Sequence, residues 1–254
     1  MQTLSDVLVV GGNGFIGSHL VKFLGCDSVD LHDGFDVRDE LQVKETVAKY
    51  RCVINLAAVS DVDACNKDKK LAYDVNVKGA LNVFKYSSSC ILFSSAAVYG
   101  NLSRKALESD TLLPISYYGY TKALMELSAI VYAGLQKKNF VILRPFNIVG
   151  EGSKGVIEKF RNNDVLHVYG NTYRDFIDVS ALCKYVRFFS DNIALFHGDV
   201  FNIGSGHATS IIDIAKKSGK TIVHHDQKQD DIVFSCADIR KLSACTDMFL
   251  SNKL

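Results

Sequence analysis

Eleven tyrosines occur in the chain, and only Tyr118 has a lysine, Lys122, four residues later. On a helix, residues four apart share a face, so a phenol and an ammonium at this spacing become neighbours. A free tyrosine loses its proton near pH ~10, and a cation within about 4–6 Å lowers that by roughly one to three units. Tyr118 is therefore expected to exchange a proton with a sugar hydroxyl or a carbonyl, help worth roughly 10²–10⁴ in rate. Ser94-Ser95 closes a short apolar run, Cys90 to Phe93. At the carboxyl end of a buried strand, Ser95 can give a hydrogen bond to the same substrate oxygen.

A second constellation lies near the N-terminus. Val7 to Val10 is followed by glycines at 11, 12, 14 and 17, and then by Phe15, Ile16, Leu20, Val21 and Leu24 at helical spacing. Strand, glycine turn and helix in that order make a dinucleotide site. Gly11 and Gly12 are expected to take the positive φ of a tight turn, and Gly14 to let the backbone approach a pyrophosphate. Gly17 lets the helix sit close to the strand, and N–H groups at the helix start face the phosphates. Ser28 to His32 reads as a second strand with Asp33 at its end. A carboxylate there accepts from the adenosine ribose hydroxyls and repels a 2′-phosphate, which favours NAD over the alternative, NADP.

These groups need a scaffold, and the pattern predicts one. A helix from about Glu40 to Tyr50 is capped by Asp39, and a strand from Cys52 to Leu56 runs into the small pair Ala57-Ala58. Leu71 to Tyr86 has helical periodicity, with Tyr73, Val77, Leu81 and Phe84 on one face. Tyr117 to Leu135 reads as a helix, and Phe140 to Leu143 as a strand entering Arg144-Pro145-Phe146-Asn147. Alternating strands and helices argue an α/β, doubly wound parallel sheet over 1–150. Helices near 155–161, 180–190, 209–217 and 238–246 and strands near 165–169, 174–178, 200–203 and 221–224 follow. The segment 174–205 is expected to return to the first part, and 151–173 with 206–254 to form a small C-terminal substrate-binding lobe.

Composition excludes several classes. The 254 residues carry a net charge of +1 and no basic run, which argues against nucleic acid and against an anionic membrane surface. The longest N-terminal apolar run is Val7 to Val10, so neither a signal peptide nor a membrane span is expected, and the location is read as cytoplasmic. Seven cysteines without C-x-x-C spacing read as buried free thiols in a reducing cytosol. Seven histidines include His224-His225 but no metal-ligand spacing, so no metal is expected.

The motifs GGNGFIG, NLAA (55–58), SSAAVYG (94–100), YGYTK (118–122), LRPFNIVG (143–150) and RDFIDV (174–179) together resemble the extended short-chain dehydrogenase/reductases. Within these the chain is similar to the NAD-dependent nucleotide-sugar epimerase/dehydratase group, from about residue 6 to 242. The resemblance implies a Rossmann-type fold with Tyr118 as catalytic acid/base, Lys122 on the nicotinamide ribose and Ser95 orienting the reacting hydroxyl. It implies cofactor contacts from Gly11, Asn13, Gly14, Phe15, Ile16, Gly17, Asp33, the adenine-side pair Asp36 and Val37, Leu56, Ala57, Ala58, Asn76, Ser94, Pro145 and Phe146. Ser95, Ala96, Asn147 and Arg174 would meet a nucleotide-sugar substrate, the last two at its diphosphate. A guanidinium suits that task because it bonds phosphate through two N–H groups; a salt bridge to Asp175 or Asp178 is its structural alternative. Members commonly pair through two long helices, here 70–86 and 118–135, which implies a homodimer.

Departures narrow the reaction. Sugar 4,6-dehydratases carry acids just after the catalytic hydroxyl residue, where this chain has Ala96-Ala97, and alanine can neither remove nor donate a proton. Ser180-Ala181 replace the carboxylate usual after RDFI-x-V, leaving Ser180 as a helix cap. The link to Asp36 is unusually short, and Asp230 to Ser235 lacks an arginine that many members set against the second phosphate. The expected activity is C4 epimerisation through a 4-keto sugar, with 4-keto-sugar reduction as the alternative and a non-catalytic NAD-binding module as the outsider.

Overall fold

The computed structural model describes residues 6–227 and 231–251. Strand β1 (Val7–Val10) is wholly buried and feeds the glycine turn and helix α1 (Phe15–Leu24). Strand β2 (Asp27–Val29) has three residues and ends before Asp30, which caps a 3₁₀ turn over Leu31–Asp33. This corrects the sequence reading: Asp30, not Asp33, stands at the end of β2. Helix α2 (Glu40–Val47) is capped by Asp39, whose carboxylate accepts from the Leu41 and Gln42 N–H groups. After β3 (Cys52–Asn55) and α3 (Val62–Lys67), the helix expected over 71–86 is built as α4 (Lys69–Tyr73), a π turn over Asp74–Gly79 and α5 (Ala80–Tyr86). Strand β4 (Ser89–Phe93), α6 (Tyr117–Gln136) and β5 (Asn139–Pro145) follow and carry the candidate site residues Tyr118, Lys122 and Pro145.

The rest of the chain alternates between two layers. Strand β6 (Asn147–Val149), α7 (Val156–Asn162), β7 (Val165–Tyr169) and β8 (Tyr173–Asp178) precede α8 (Val179–Asp191) and β9 (His197–Ile203). Strand β10 (Ala208–Ser210), α9 (Ile211–Lys217), β11 (Thr221–His225), β12 (Phe234–Ser235) and α10 (Arg240–Ser251) end the described residues.

Six strands form one sheet in the order β2-β1-β3-β4-β5-β9, every neighbouring pair parallel. The strand order reverses between β1 and β3, which opens a crevice at their carboxyl ends. The short link from Asp30 to Asp39 leads into α2, and β2 is the edge of this sheet among the described residues. Central strands read as continuous apolar runs because both faces are covered. Val7, Val9, Ile54, Ile91 and Leu143 pack with Leu20 and Leu24 of α1 and Leu182, Val186 and Phe189 of α8. Leu8, Val10 and Val53 face the other way, onto Val43 and Val47 of α2 and Val83 of α5, while Phe84 and Met125 cover Leu92, Phe140 and Ile142.

A smaller sheet centres on β8, which pairs with β6, β10 and β12, and β7 pairs with β11 in a separate two-stranded ladder. The segment 174–178 pairs within this smaller sheet, as does β6, while Ile177 packs into the core of the six-stranded sheet and β9 pairs with β5 there. The tail departs from expectation: Leu242 of α10 lies in the same core as α1 and α8. Asp178 caps α8 by accepting from the Ser180 N–H at 2.8 Å, and the Ser180 hydroxyl donates to it, so Ser180 is not the cap.

Candidate active site

Parallel strands bring four chain segments to one edge of the sheet. The glycine turn follows β1, Leu56 to Ala58 follow β3, Ser94-Ser95 follow β4, and Pro145 to Asn147 end or follow β5. The turn is tight for a stated reason at two positions. Gly11 has φ +90°, and a Cβ there would fall 2.9 Å from the Ala57 nitrogen; a Cβ on Gly17 would fall 2.1 Å from the Gly11 carbonyl oxygen. Gly12 corrects the reading, since its φ is not positive and the Ser28 side chain, 2.5 Å from where a Cβ would stand, is what demands glycine. Around Gly14 the only contact a Cβ would make is with the Gly11 oxygen at 3.4 Å, so the backbone is open to close approach. Helix α1 starts there without a side-chain cap, which leaves first-turn N–H groups available to an anion.

Phe15 and Ile16 are partly buried against the core, and Phe15 also packs on His19 and the 150–152 turn. Asn13 ties the turn to the acids beyond β2: its N–H donates to Asp30 Oδ2 at 3.0 Å and its amide to Asp33 Oδ2 at 3.0 Å. Asp30 also accepts from the His32 N–H at 3.1 Å. Burial pushes its carboxyl up, but the hydrogen bonds from His32 and Asn13 outweigh this and hold it below the usual value. Asp36 is clasped by Arg38 through Nε and Nη2, and Val37 packs against Gly79, with its carbonyl accepting from Asn82.

Asn76 sits in the π turn, wholly buried. Its oxygen accepts from the Val59 N–H at 2.8 Å, and its amide donates to the Val59 carbonyl and to Thr121 Oγ1, both at 3.0 Å. Those bonds use both of its N–H groups, so it binds the strand-end loop to the helix of Tyr118 and Lys122 instead of offering a donor to a ligand. Thr121 escaped the sequence reading because its partner lies 45 positions away.

Helix α6 is started by Ser116, whose hydroxyl oxygen accepts from the Gly119 N–H at 3.1 Å. It places the Lys122 ammonium 5.9 Å from the centre of the Tyr118 ring. Lys122 is 5% exposed and donates to the Phe93 carbonyl at 2.8 Å. Burial lowers its proton affinity to about 8. The phenol departs from expectation: burial pushes Tyr118 up to about 12, and only the Ser95 hydroxyl pulls it back. The ammonium is engaged by a carbonyl rather than by the phenol, and loss of solvent outweighs its field. Ser95 Oγ accepts from the Ala97 N–H at 3.1 Å, so its own single proton can go to the Tyr118 oxygen or, in its place, to a ligand oxygen.

Ser95, Ala96, Ala97, Pro145, Phe146, Asn147, Arg174, Asp231, Ile232 and Ser235 line one pocket of about 170 Å³. The Asn147 amide donates to the Asp175 carbonyl at 3.2 Å. Arg174 donates to Asp231 Oδ1 at 2.8 Å and to the Tyr173 carbonyl, so its ion pair is with neither Asp175 nor Asp178. Asp175 instead accepts from the Ser205, Gly206 and Ala237 N–H groups and ties β8 to the segments that follow β9 and β12. Asp231 was missed because its segment drew notice only for an absent arginine; Asp230, named with it, lies outside the described residues.

The residues fit NAD on two counts. The glycine cradle is closed to any side chain at Gly11 and Gly17, and Ser94 Oγ, next to the carbonyl that Lys122 holds, is buried without a hydrogen-bond partner among the described residues. A second such hydroxyl, Ser190, lies elsewhere in the sheet's cover. No three His, Cys, Asp or Glu side chains gather to hold a metal ion among the described residues, and no helix there is long and apolar enough to cross a membrane. The seven cysteines are free thiols.

Fold and site together define an NAD-dependent α/β enzyme. Residues 7–204 match the NAD dependent epimerase/dehydratase family, and the chain belongs to it. It is similar to the UDP-glucose 4-epimerase of Lactobacillus helveticus, 27% identical over 84% of this chain and 81% of that one. It is equally similar to the GDP-6-deoxy-D-talose 4-dehydrogenase of Aggregatibacter actinomycetemcomitans, 27% identical over 93% and 87%. The solved UDP-glucose 4-epimerase of Thermus thermophilus, in complex with NAD, shares the fold with a TM-score of 0.82, at 23% identity over 94% of this chain and 92% of that one.

Proposed function

We propose that the protein is an NAD-dependent nucleotide-sugar 4-epimerase, in which C4 is oxidised to a ketone and reduced again from its other face. The observation that carries this is Ser95, Ala96, Phe146, Asn147 and Arg174 around one pocket, with Tyr118 beside Ser95 and Lys122 buried one helical turn on. NAD, when bound, supplies a hydride acceptor and a positive ring charge. Ser95 donates to the C4 oxygen, and Tyr118 takes the hydroxyl proton as the ketone forms. Lys122 favours the phenolate by its charge and is placed to hold ribose hydroxyls. Tyr118 returns the proton when the hydride comes back to C4. Ala96 and Ala97 leave the sugar ring room to turn over. Ala96 and Ala97 stand where a dehydratase needs acids, and alanine can neither remove nor donate a proton, which disfavours dehydration.

The diphosphate is assigned to Arg174 and Asn147, with Asp231 displaced from the guanidinium as the phosphate arrives. The likeness to a 4-dehydrogenase favours one alternative, a 4-keto-sugar reductase that uses the same residues and exchanges its cofactor every turn. The experiment is incubation of the purified protein with UDP-, GDP- and dTDP-sugars without added cofactor. Interconversion of two C4 epimers is expected; turnover that requires stoichiometric NAD(P)H and a keto sugar would replace this reading with the reductase. Pairing of two chains through α4, α5 and α6 belongs to the same proposal.

A further inference from the structure

Beneath the pocket lies a buried charged cluster that takes no direct part in the proposed reaction. Arg144 and Glu126 are 4% and 1% exposed. The guanidinium donates from Nε to Glu126 Oε1 at 3.0 Å and from Nη2 to Oε2 at 2.6 Å. Its Nη1 donates to the Tyr99 hydroxyl at 2.8 Å and to the Glu108 carbonyl at 3.0 Å. Tyr99 passes the chain on, donating to Asn202 Oδ1 at 2.6 Å, and the Asn202 amide donates to the Ala106 carbonyl at 2.8 Å. A buried ion pair adds little net stability over a well-packed apolar pair of the same volume, so its presence calls for another role.

Its placement supplies one. Glu126 is one turn beyond Lys122 in α6, Tyr99 closes the 3₁₀ turn that Ser95 opens, and Arg144 immediately precedes Pro145 and Phe146. The Tyr99 ring stacks on Phe146, centroids 6.4 Å apart. Gly119 brings α6 against the same turn: a Cβ there would fall 2.6 Å from the Ala97 carbonyl oxygen. The three segments that carry the reactive side chains therefore converge on one planar fork.

We infer that Arg144, with Glu126 and Tyr99, is a positioning cluster that fixes the Ser95 hydroxyl against the Tyr118 phenol and Phe146 against the bound ligands. The inference rests on the reading of Tyr118 as the group that moves the proton. Ser95 is what pulls the phenol down against burial, so the proton affinity of Tyr118 depends on a separation that the fork sets. Glu126 places a negative charge near Lys122 and favours its ammonium. A lysine at 144 cannot reproduce the arrangement, because an ammonium lacks the planar array that meets Glu126 and Tyr99 together.

The test uses Tyr99→Phe, which removes one hydroxyl and keeps the ion pair, and the double variant Glu126→Gln/Arg144→Met, which leaves no unpaired buried charge. Arg144→Lys and Tyr118→Phe run beside them, with NAD content and Tm recorded for each. The cluster predicts NAD content like wild type, KM within about twofold, and kcat down about 10- to 100-fold, as displaced catalytic groups give. It also predicts an acid limb of the kcat–pH profile displaced to higher pH, and no rescue in Arg144→Lys. Folded, NAD-bearing Tyr99→Phe and double variants with wild-type kcat and pH profile would overturn it while Tyr118→Phe still lacked activity. Wild-type turnover in Tyr118→Phe would instead remove the reading beneath it.

Discussion

At Lys122 the proposed function and stability pull apart. Its ammonium is buried, and its proton affinity falls from 10.5 to about 8. Between those values the unfolded chain holds a proton that the folded chain has released, so stability rises with pH through that window. Below it the fold carries the charge at a cost of about 3 kcal/mol. Lys122→Met is therefore expected to be inactive yet more stable than wild type at pH 7, with the gap closing as pH approaches 10.5. Equal unfolding midpoints in urea at pH 7 would contradict this. Asp30 and Asp33 make a second test at this scale. Asp30 takes the Asn13 N–H and stands at the end of β2, whereas exposed Asp33 meets only the Asn13 amide. Asp30→Asn is expected to weaken NAD binding by roughly tenfold or more, by the loss of charge-assisted hydrogen bonds, and Asp33→Asn by much less. Calorimetric titration of NAD-stripped protein separates them, and the reverse order would contradict this.

At the level of elements, the glycine turn sets the distance between α1 and β1. Gly17→Ala would put a methyl carbon 2.1 Å from a backbone oxygen, with Gly12 atoms 2.9 Å away. Neither neighbour is a flexible side chain, so the variant is expected to lose NAD binding and several degrees of Tm; retention of both would refute the close-packing account. The long periodic elements were legible: Tyr117–Gln136 and the buried strands declare themselves through spacing and continuous apolar runs. So were the Tyr118–Lys122 pair and the Gly11 turn, which are local patterns. What escaped was set by partners distant in sequence. Strand β2 stops at Val29 because it is a three-residue edge strand with little burial to mark its end, and the Asp30 cap follows at once. The π turn exists where Asn76 reaches Val59 and Thr121, contacts that periodicity does not encode. The rise of Tyr118 was hidden for the same reason, since spacing gives a lysine's proximity but not the carbonyl that engages it.

For the molecule as a whole, one face of α6 is left apolar. Leu127, Val131 and Leu135 are 59%, 61% and 78% exposed, and Ile130 and Tyr120 lie exposed on the same helix. Their spacing makes a continuous stripe, and a patch of this kind marks an interaction surface. A second copy meeting it through α4, α5 and α6 would cover it, so sedimentation at micromolar concentration is expected to show a dimer and Leu127→Glu/Val131→Glu a folded monomer. A wild-type monomer would contradict the pairing. The most direct measurement of the central claim follows one atom through the site. A nucleotide sugar carrying deuterium at C4 is turned over by the protein without added cofactor, and both epimers are analysed. The account predicts that the deuterium remains on C4 of the product, because the hydride that leaves returns to the same carbon from the opposite side. Loss of the label to solvent, or epimers formed only when reduced cofactor is consumed, would contradict it.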